Sequence, residues 1–212
     1  MLRHALFIIL CFTASTAPAA ERTILVLGDS LSAGYGINVN DGWVSLLHQR
    51  LQDQGYSYRV INASISGDTT RGARERLQRE LRATRPAIGI VELGGNDGLR
   101  GLSLEEMRSN LQGIIEDFAR AGSRVLLLPI KLPPNYGPVY NQRFSRVYRE
   151  LAARDNVVLG RFILDGIATR PELMQDDGIH PRATAQGMML DNVWPALQPL
   201  LTRATEKEQE QS

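Results

Sequence analysis

Five short apolar runs, separated by stretches of helical periodicity, constrain this chain more than any other feature of its sequence. The runs are Thr23–Leu27 ending at Gly28, Tyr58–Asn62, Ala87–Leu93, Arg124–Leu128 ending at Pro129, and Val157–Leu159. Short apolar runs of this kind suit strands of a parallel sheet buried on both faces. Between them lie Trp43, Leu46, Leu47 and Leu51, at helical spacing after a capping Asp41 and before Gly55. Ala73, Leu77, Leu81 and Thr84 share a second helical face that stops at Pro86. A capping box, Ser103 with Glu106, opens a third helix whose stripe runs from Leu104 to Phe118 and ends at Gly122. Phe144, Val147, Tyr148 and Leu151 mark a fourth, and a last helix is expected from about Ala183 to Leu201. Such alternation predicts an α/β chain, a three-layer α/β/α sandwich on a five-stranded parallel sheet. Residues 20–201 read as one domain, and residues 202–212 as a polar tail.

The first residues have a different character. Arg3 and His4 precede the apolar run Ala5–Phe12, and Ala17-Pro-Ala19 offers a small-residue cleavage pattern. Residues 1–19 therefore read as a secretory signal peptide cut near Ala19, which implies a periplasmic or secreted protein. The run falls well short of the ~20 residues that span a bilayer, so no stable membrane insertion is expected. Cys11 is the only cysteine, so no intramolecular disulfide, redox pair or cysteine metal cluster can form. Cleavage also removes any cysteine nucleophile. With 24 Lys+Arg against 23 Asp+Glu, the formal charge of +1 lacks the basic excess of a nucleic-acid binder.

In a parallel sheet the active site lies beyond the carboxyl ends of the strands. The segments there are rich in small and polar residues: Gly28-Asp-Ser30-Leu-Ser32, Ala63-Ser-Ile-Ser-Gly67-Asp68, Gly94-Gly-Asn96-Asp-Gly98, Pro129–Tyr136, and Asp176-Asp-Gly-Ile-His180-Pro181 before the last helix. Beyond the leader the histidines are His48, mid-helix among leucines, and His180. Gly178 lets the chain curl so that Asp177 can accept from the His180 ring, leaving the other ring nitrogen as a base. Asp176 competes for that partner role. Ser30, just past the first strand, is the candidate nucleophile, with Ser64 and Ser66 as rivals. Gly28–Ser32 lacks the closing glycine of the G-x-S-x-G elbow, which disfavours a standard α/β-hydrolase. Two other classes compete. A phosphate-cradling flavodoxin-like module would place its anion against Asp29. A metal-dependent phosphoesterase would use Asp29, Asn96, Asp97 and His180 as ligands.

Taken together, Ile24–Gly34 with its Gly28-Asp-Ser-Leu, Asn62–Thr69, Val91–Gly101 with Gly-Gly-Asn96-Asp, and Met174–Pro181 resemble the SGNH/GDSL hydrolases, motif by motif and in order. Together with Leu132-Pro-x-Asn-Tyr-Gly137 they are similar to the bacterial multifunctional acyl-CoA thioesterase/protease/lysophospholipase group of that family. The resemblance implies a flavodoxin-like SGNH fold and a serine hydrolase of fatty-acyl esters and thioesters. It makes Ser30 the nucleophile, His180 the base and then acid, and Asp177 the orienting carboxylate. Its oxyanion hole would be the backbone N–H of Ser30, that of Gly67 and the Asn96 side-chain amide. No cofactor and no metal are expected, and the partners are an acyl ester, thioester or lysophospholipid. A carbohydrate O-acetyl esterase of the same fold is the alternative. The chain is expected to be a monomer.

Asp97–Leu102 reads as a loop hinged at Gly98 and Gly101, with Leu99 and Leu102 covering an apolar acyl chain. Ile130, Leu132 and the Pro133–Tyr136 turn would form the opposite wall.

Overall fold

The computed structural model describes residues 21–202, so the leader through Ala19 and all of the tail but Thr202 lie outside the described residues. In chain order the elements are β1 (Arg22–Gly28), α1 (Ser30–Ala33), α2 (Trp43–Asp53), β2 (Tyr58–Asn62), α3 (Thr70–Thr84), β3 (Ile88–Glu92), α4 (Gly95–Leu99), α5 (Leu104–Arg120), β4 (Arg124–Leu127), α6 (Pro138–Ala152), β5 (Val157–Leu159) and α7 (Gln186–Leu197). The five strands form one sheet in the order β2-β1-β3-β4-β5. Every neighbouring pair is parallel, with Ile24 beside Ile88 and Ile88 beside Arg124. Three layers follow from side-chain alternation along each strand. Ile24, Val26, Ile88 and Ile90 face the core shared with α2 and α7, whereas Leu25, Leu27 and Val91 face the core under α3, α5 and α6. Both faces of the central strands are buried, which is why their sequences are apolar without interruption.

The chain leaves β1 for β2 on one side, then crosses back to β3 on the other. The carboxyl ends of β1 and β3 therefore lie side by side where the winding reverses, the position at which open α/β sheets place their sites.

Three local expectations are corrected. Asp41 does not cap α2: it closes a 3-10 turn, and the N-cap is Gly42, without a side-chain bond. The Trp43 N–H instead donates to Gln186 Oε1 at 3.0 Å, a cap delivered from α7. The last helix is not continuous, because 3-10 turns at Ala183–Ala185 and Gln198–Leu200 flank α7. Two further short helices, α1 and α4, follow β1 and β3 directly, and each carries a residue of the site.

Candidate active site

Ser30 is the first residue of α1, and Asp29 caps that helix by accepting the Leu31 N–H at 3.1 Å. The turn holds the Ser30 side chain at the mouth of the sheet, where Oγ lies 2.8 Å from His180 Nε2. His180 Nδ1 in turn lies 2.6 Å from Asp177 Oδ2. An ionised carboxylate only accepts, so Nδ1 carries the proton and Nε2 is free to accept one from Ser30. The other oxygen, Asp177 Oδ1, takes the N–H groups of Ile179 and His180 at 2.9 and 3.0 Å, made possible by Gly178 at φ 66°. Partial burial pushes the Asp177 carboxyl up, but the His180 ring and these backbone donors outweigh it and bring it down to about 2. Asp176 points away, with a side chain 98% exposed and paired to Arg182. Neither Ser64 nor Ser66 is bonded to His180, and the Ser64 hydroxyl is buried without a partner among the described residues.

Asn96 opens toward the same cavity from α4. Its Nδ2 donates to Asp29 Oδ2 at 3.2 Å, which leaves one of the two amide hydrogens unclaimed. Gly67 sits in an exposed turn at φ 79°, and its N–H has no acceptor among the described residues. Arg100 Nη2 links the two, donating to Gly67 O at 2.9 Å and to Asn96 Oδ1 at 3.2 Å. Asp97 does not converge with His180: its carboxylate is buried and holds the Thr70 N–H and hydroxyl at 2.9 and 2.6 Å. Among the described residues no group of three His, Cys, Asp or Glu converges as a metal site.

Ser30, Asn96 and His180 open onto a cavity of about 490 Å³. Leu99, Ile130 and Leu132 line it as expected, but a third of the lining residues come from the segment after β5, among them Phe162, Leu164, Ala168 and Met174. That segment gave no helical or strand period, so sequence reasoning missed it. Three expected wall residues stand elsewhere. Leu102 is 43% exposed and borders a separate groove with Tyr140 and Arg143. Tyr136 lies outside the lining and braces α4 from behind, donating to Leu99 O at 2.8 Å, while Tyr140 donates to Gly98 O at 3.3 Å. Gly98 is no hinge, because it is buried inside α4 and a Cβ there would lie 2.6 Å from the Phe144 ring and 2.8 Å from Leu132. Close packing, not freedom, accounts for that glycine.

Further residues carried too little sequence signal to be singled out. The Tyr35 ring stands 4.4 Å from the His180 ring, centroid to centroid. Gln175 ties the two loops, its Nε2 donating to Tyr35 O at 2.8 Å and its N–H to His180 O at 2.7 Å. Glu92, fully buried at the end of β3, accepts the Asp29 N–H at 3.4 Å and the Ser32 hydroxyl at 2.7 Å. Burial and the neighbouring Asp29 hold Glu92 well above the ordinary carboxylate range. Burial likewise lifts Asp29 from 3.8 to about 6, against the donors from Leu31 and Asn96.

A raised carboxyl binds, in the folded protein, a proton that the unfolded chain has already released. The contribution of Asp29 to stability therefore falls as pH rises from about 4 to about 6, and levels off above that. Asp29→Asn keeps an acceptor for only one of the two donors, so the expected signature is a trend: its melting temperature relative to the parent rises from pH 4 to pH 7–8. Thermal melts across that range check it, and a difference independent of pH would overturn it.

Comparisons with known proteins show what the chain is similar to. A model of the GDSL-like lipase/acylhydrolase family matches residues 26–188. The chain is 50% identical over 186 residues to an esterase of Pseudomonas aeruginosa named TesA, covering 88% of this chain and 92% of that one. It is 42% identical over 198 residues to a thioesterase/protease/lysophospholipase of Escherichia coli, covering 93% of each. The esterase EstA of a Pseudoalteromonas species, solved with monoethylphosphonate as inhibitor, superimposes with a TM-score of 0.81 at 38% identity, over 84% of this chain and 97% of that one.

Proposed function

The chain belongs to the GDSL-like lipase/acylhydrolase family, and from that premise we propose that it cleaves fatty-acyl esters and thioesters, lysophospholipids among them, through an acyl-enzyme on Ser30. The observation that carries the proposal is the Ser30–His180–Asp177 relay, with its 2.8 and 2.6 Å contacts, at the mouth of an apolar cavity. In the first half-reaction Ser30 Oγ attacks the acyl carbonyl as His180 Nε2 takes its proton. Asp177 holds the Nδ1 proton and balances the charge on the ring. Negative charge on the carbonyl oxygen is met by the N–H groups of Ser30 and Gly67 and the free N–H of Asn96. Collapse expels the alcohol or thiol, which leaves with the proton from His180. Water then repeats the sequence on the acyl-enzyme, releasing the fatty acid and restoring Ser30.

The cavity lining supports an acyl chain over an acetylated sugar, which would ask for polar groups in place of Phe162, Leu164 and Ile130. We assign residues 20–201 to one hydrolase domain and the first 19 residues to a cleaved leader. No helix among the described residues is long and apolar enough to cross a membrane. Outside the cytosol coenzyme A esters are scarce, so carboxylic esters are the working substrates and thioester cleavage is a capability of the same site.

The test is a series of p-nitrophenyl esters from acetyl to dodecanoyl, run beside palmitoyl lysophosphatidylcholine. Each methylene buried in the cavity is worth at most ~0.8 kcal/mol, so kcat/KM is expected to climb by up to about fourfold per methylene before it levels off. An enzyme that prefers acetyl to every longer ester, and releases no fatty acid from the lysophospholipid, would refute the acyl-chain reading.

A further inference from the structure

Asn96 is useful to an oxyanion only if its nitrogen, and not its oxygen, faces the cavity. The two ends of a carboxamide have nearly the same shape, so its neighbours must choose the orientation. Asp29 and Arg100 make that choice from opposite sides. The Asp29 carboxylate only accepts and takes Nδ2 at 3.2 Å; the Arg100 guanidinium only donates and takes Oδ1 at 3.2 Å. A flipped amide would set oxygen against carboxylate and N–H against guanidinium.

The same Arg100 nitrogen also donates to Gly67 O at 2.9 Å. Gly67 belongs to the loop after β2 and Asn96 to the helix after β3, so this one nitrogen spans the two loops that supply oxyanion donors. Drawing charge from the Asn96 oxygen also makes its N–H a stronger donor. Arg100 is itself well held. It is the C-cap of α4, its N–H bonded to Asn96 O, and Tyr136 and Tyr140 brace the two preceding carbonyls, those of Leu99 and Gly98. It is not part of the cavity lining, so it has no direct hold on the acyl chain.

We propose that Arg100 is a positioning residue of the oxyanion site, whose guanidinium ties Gly67 to Asn96 and fixes the Asn96 amide with its N–H side to the cavity. This deepens the function proposed above and rests on it. Arg is suited to the task because its planar fork is preorganised, whereas a lysine ammonium is a mobile point charge.

The experiment compares Arg100→Met and Arg100→Lys with the parent on p-nitrophenyl butyrate, with butylboronic acid as a mimic of the tetrahedral intermediate. Misplacing a donor by about 1 Å costs up to ~10²-fold, so Arg100→Met is expected to lose roughly 10- to 100-fold in kcat. KM should stay within about twofold, and the boronic acid should bind more weakly by a factor close to the loss in kcat. Arg100→Lys should recover part of both losses. A Met variant with the parent kcat overturns the proposal, and so does one whose loss lies in KM with boronic acid affinity unchanged. Fluorophosphonate labelling of the parent separates the two levels of inference. If the parent is not labelled at Ser30, the reading of the site falls and this proposal with it. If Ser30 is labelled and kcat does not respond to Arg100, only the positioning role fails.

Discussion

Ser30→Ala is expected to lower kcat by about 10⁴-fold or more and to abolish labelling by a fluorophosphonate. The magnitude follows from the geometry. Among the described residues, Oγ at 2.8 Å from His180 Nε2 is the only serine hydroxyl bonded to that ring, and the ring's other nitrogen is already engaged by Asp177 at 2.6 Å. Alanine removes the hydroxyl but leaves the Asp29 cap on Leu31 intact, so α1 and the cavity should keep their form. The variant should therefore melt near the parent temperature and still bind fatty acid. No cysteine lies within residues 20–212 to take over as nucleophile. Kinetics on p-nitrophenyl butyrate and mass spectrometry of the labelled protein are the measurements. Label that persists and moves to Ser64 or Ser66 would overturn the assignment of Ser30.

Asn96→Ala should cost about 10²–10³ in kcat, equivalent to ~3–4 kcal/mol, with KM nearly unchanged. The donor matters most once charge has reached the carbonyl oxygen, so its loss falls on the transition state and not on the bound ester. The variant also deprives Asp29 of its 3.2 Å donor, which further disfavours that buried carboxylate. A small fall in melting temperature at neutral pH is therefore expected beside the kinetic loss. A rise in KM with kcat intact would make Asn96 a substrate contact and would remove it from the oxyanion site.

How far the sequence could be read varied from element to element, and the reasons are physical. The strands of the sheet were legible because burial on both faces demands apolar runs such as Ile24–Leu27 and Ile88–Val91, where Gly89 alone is not a large apolar residue. Helices α3 and α5 were legible because each buries one stripe and caps itself locally, α5 through Ser103. Helix α2 misled at its start because its first N–H is satisfied by Gln186, a partner 143 positions away. Asp177 and His180 could be paired from sequence because they are three residues apart in one turn, and a turn is local. Gly98 could not be understood that way: the same residue type serves flexible hinges and tight packing, and only the nearness of Phe144 and Leu132 separates them.

The sequence by itself determined the layered α/β architecture, the strand ends at which small and polar residues gather, and the order of the motifs, because each depends on local periodicity or short-range turns. The tertiary structure alone decided which serine meets the histidine 150 positions away, that Asp176 turns outward to Arg182, and that Leu102 and Tyr136 leave the cavity to the segment after β5. It alone placed Arg100 between Gly67 and Asn96, and Glu92 against Ser32. These contacts join strands β1, β2 and β3 and the loops beyond them at the point where the winding of the sheet reverses. No local pattern encodes them, because their partners become neighbours only when the strands have paired.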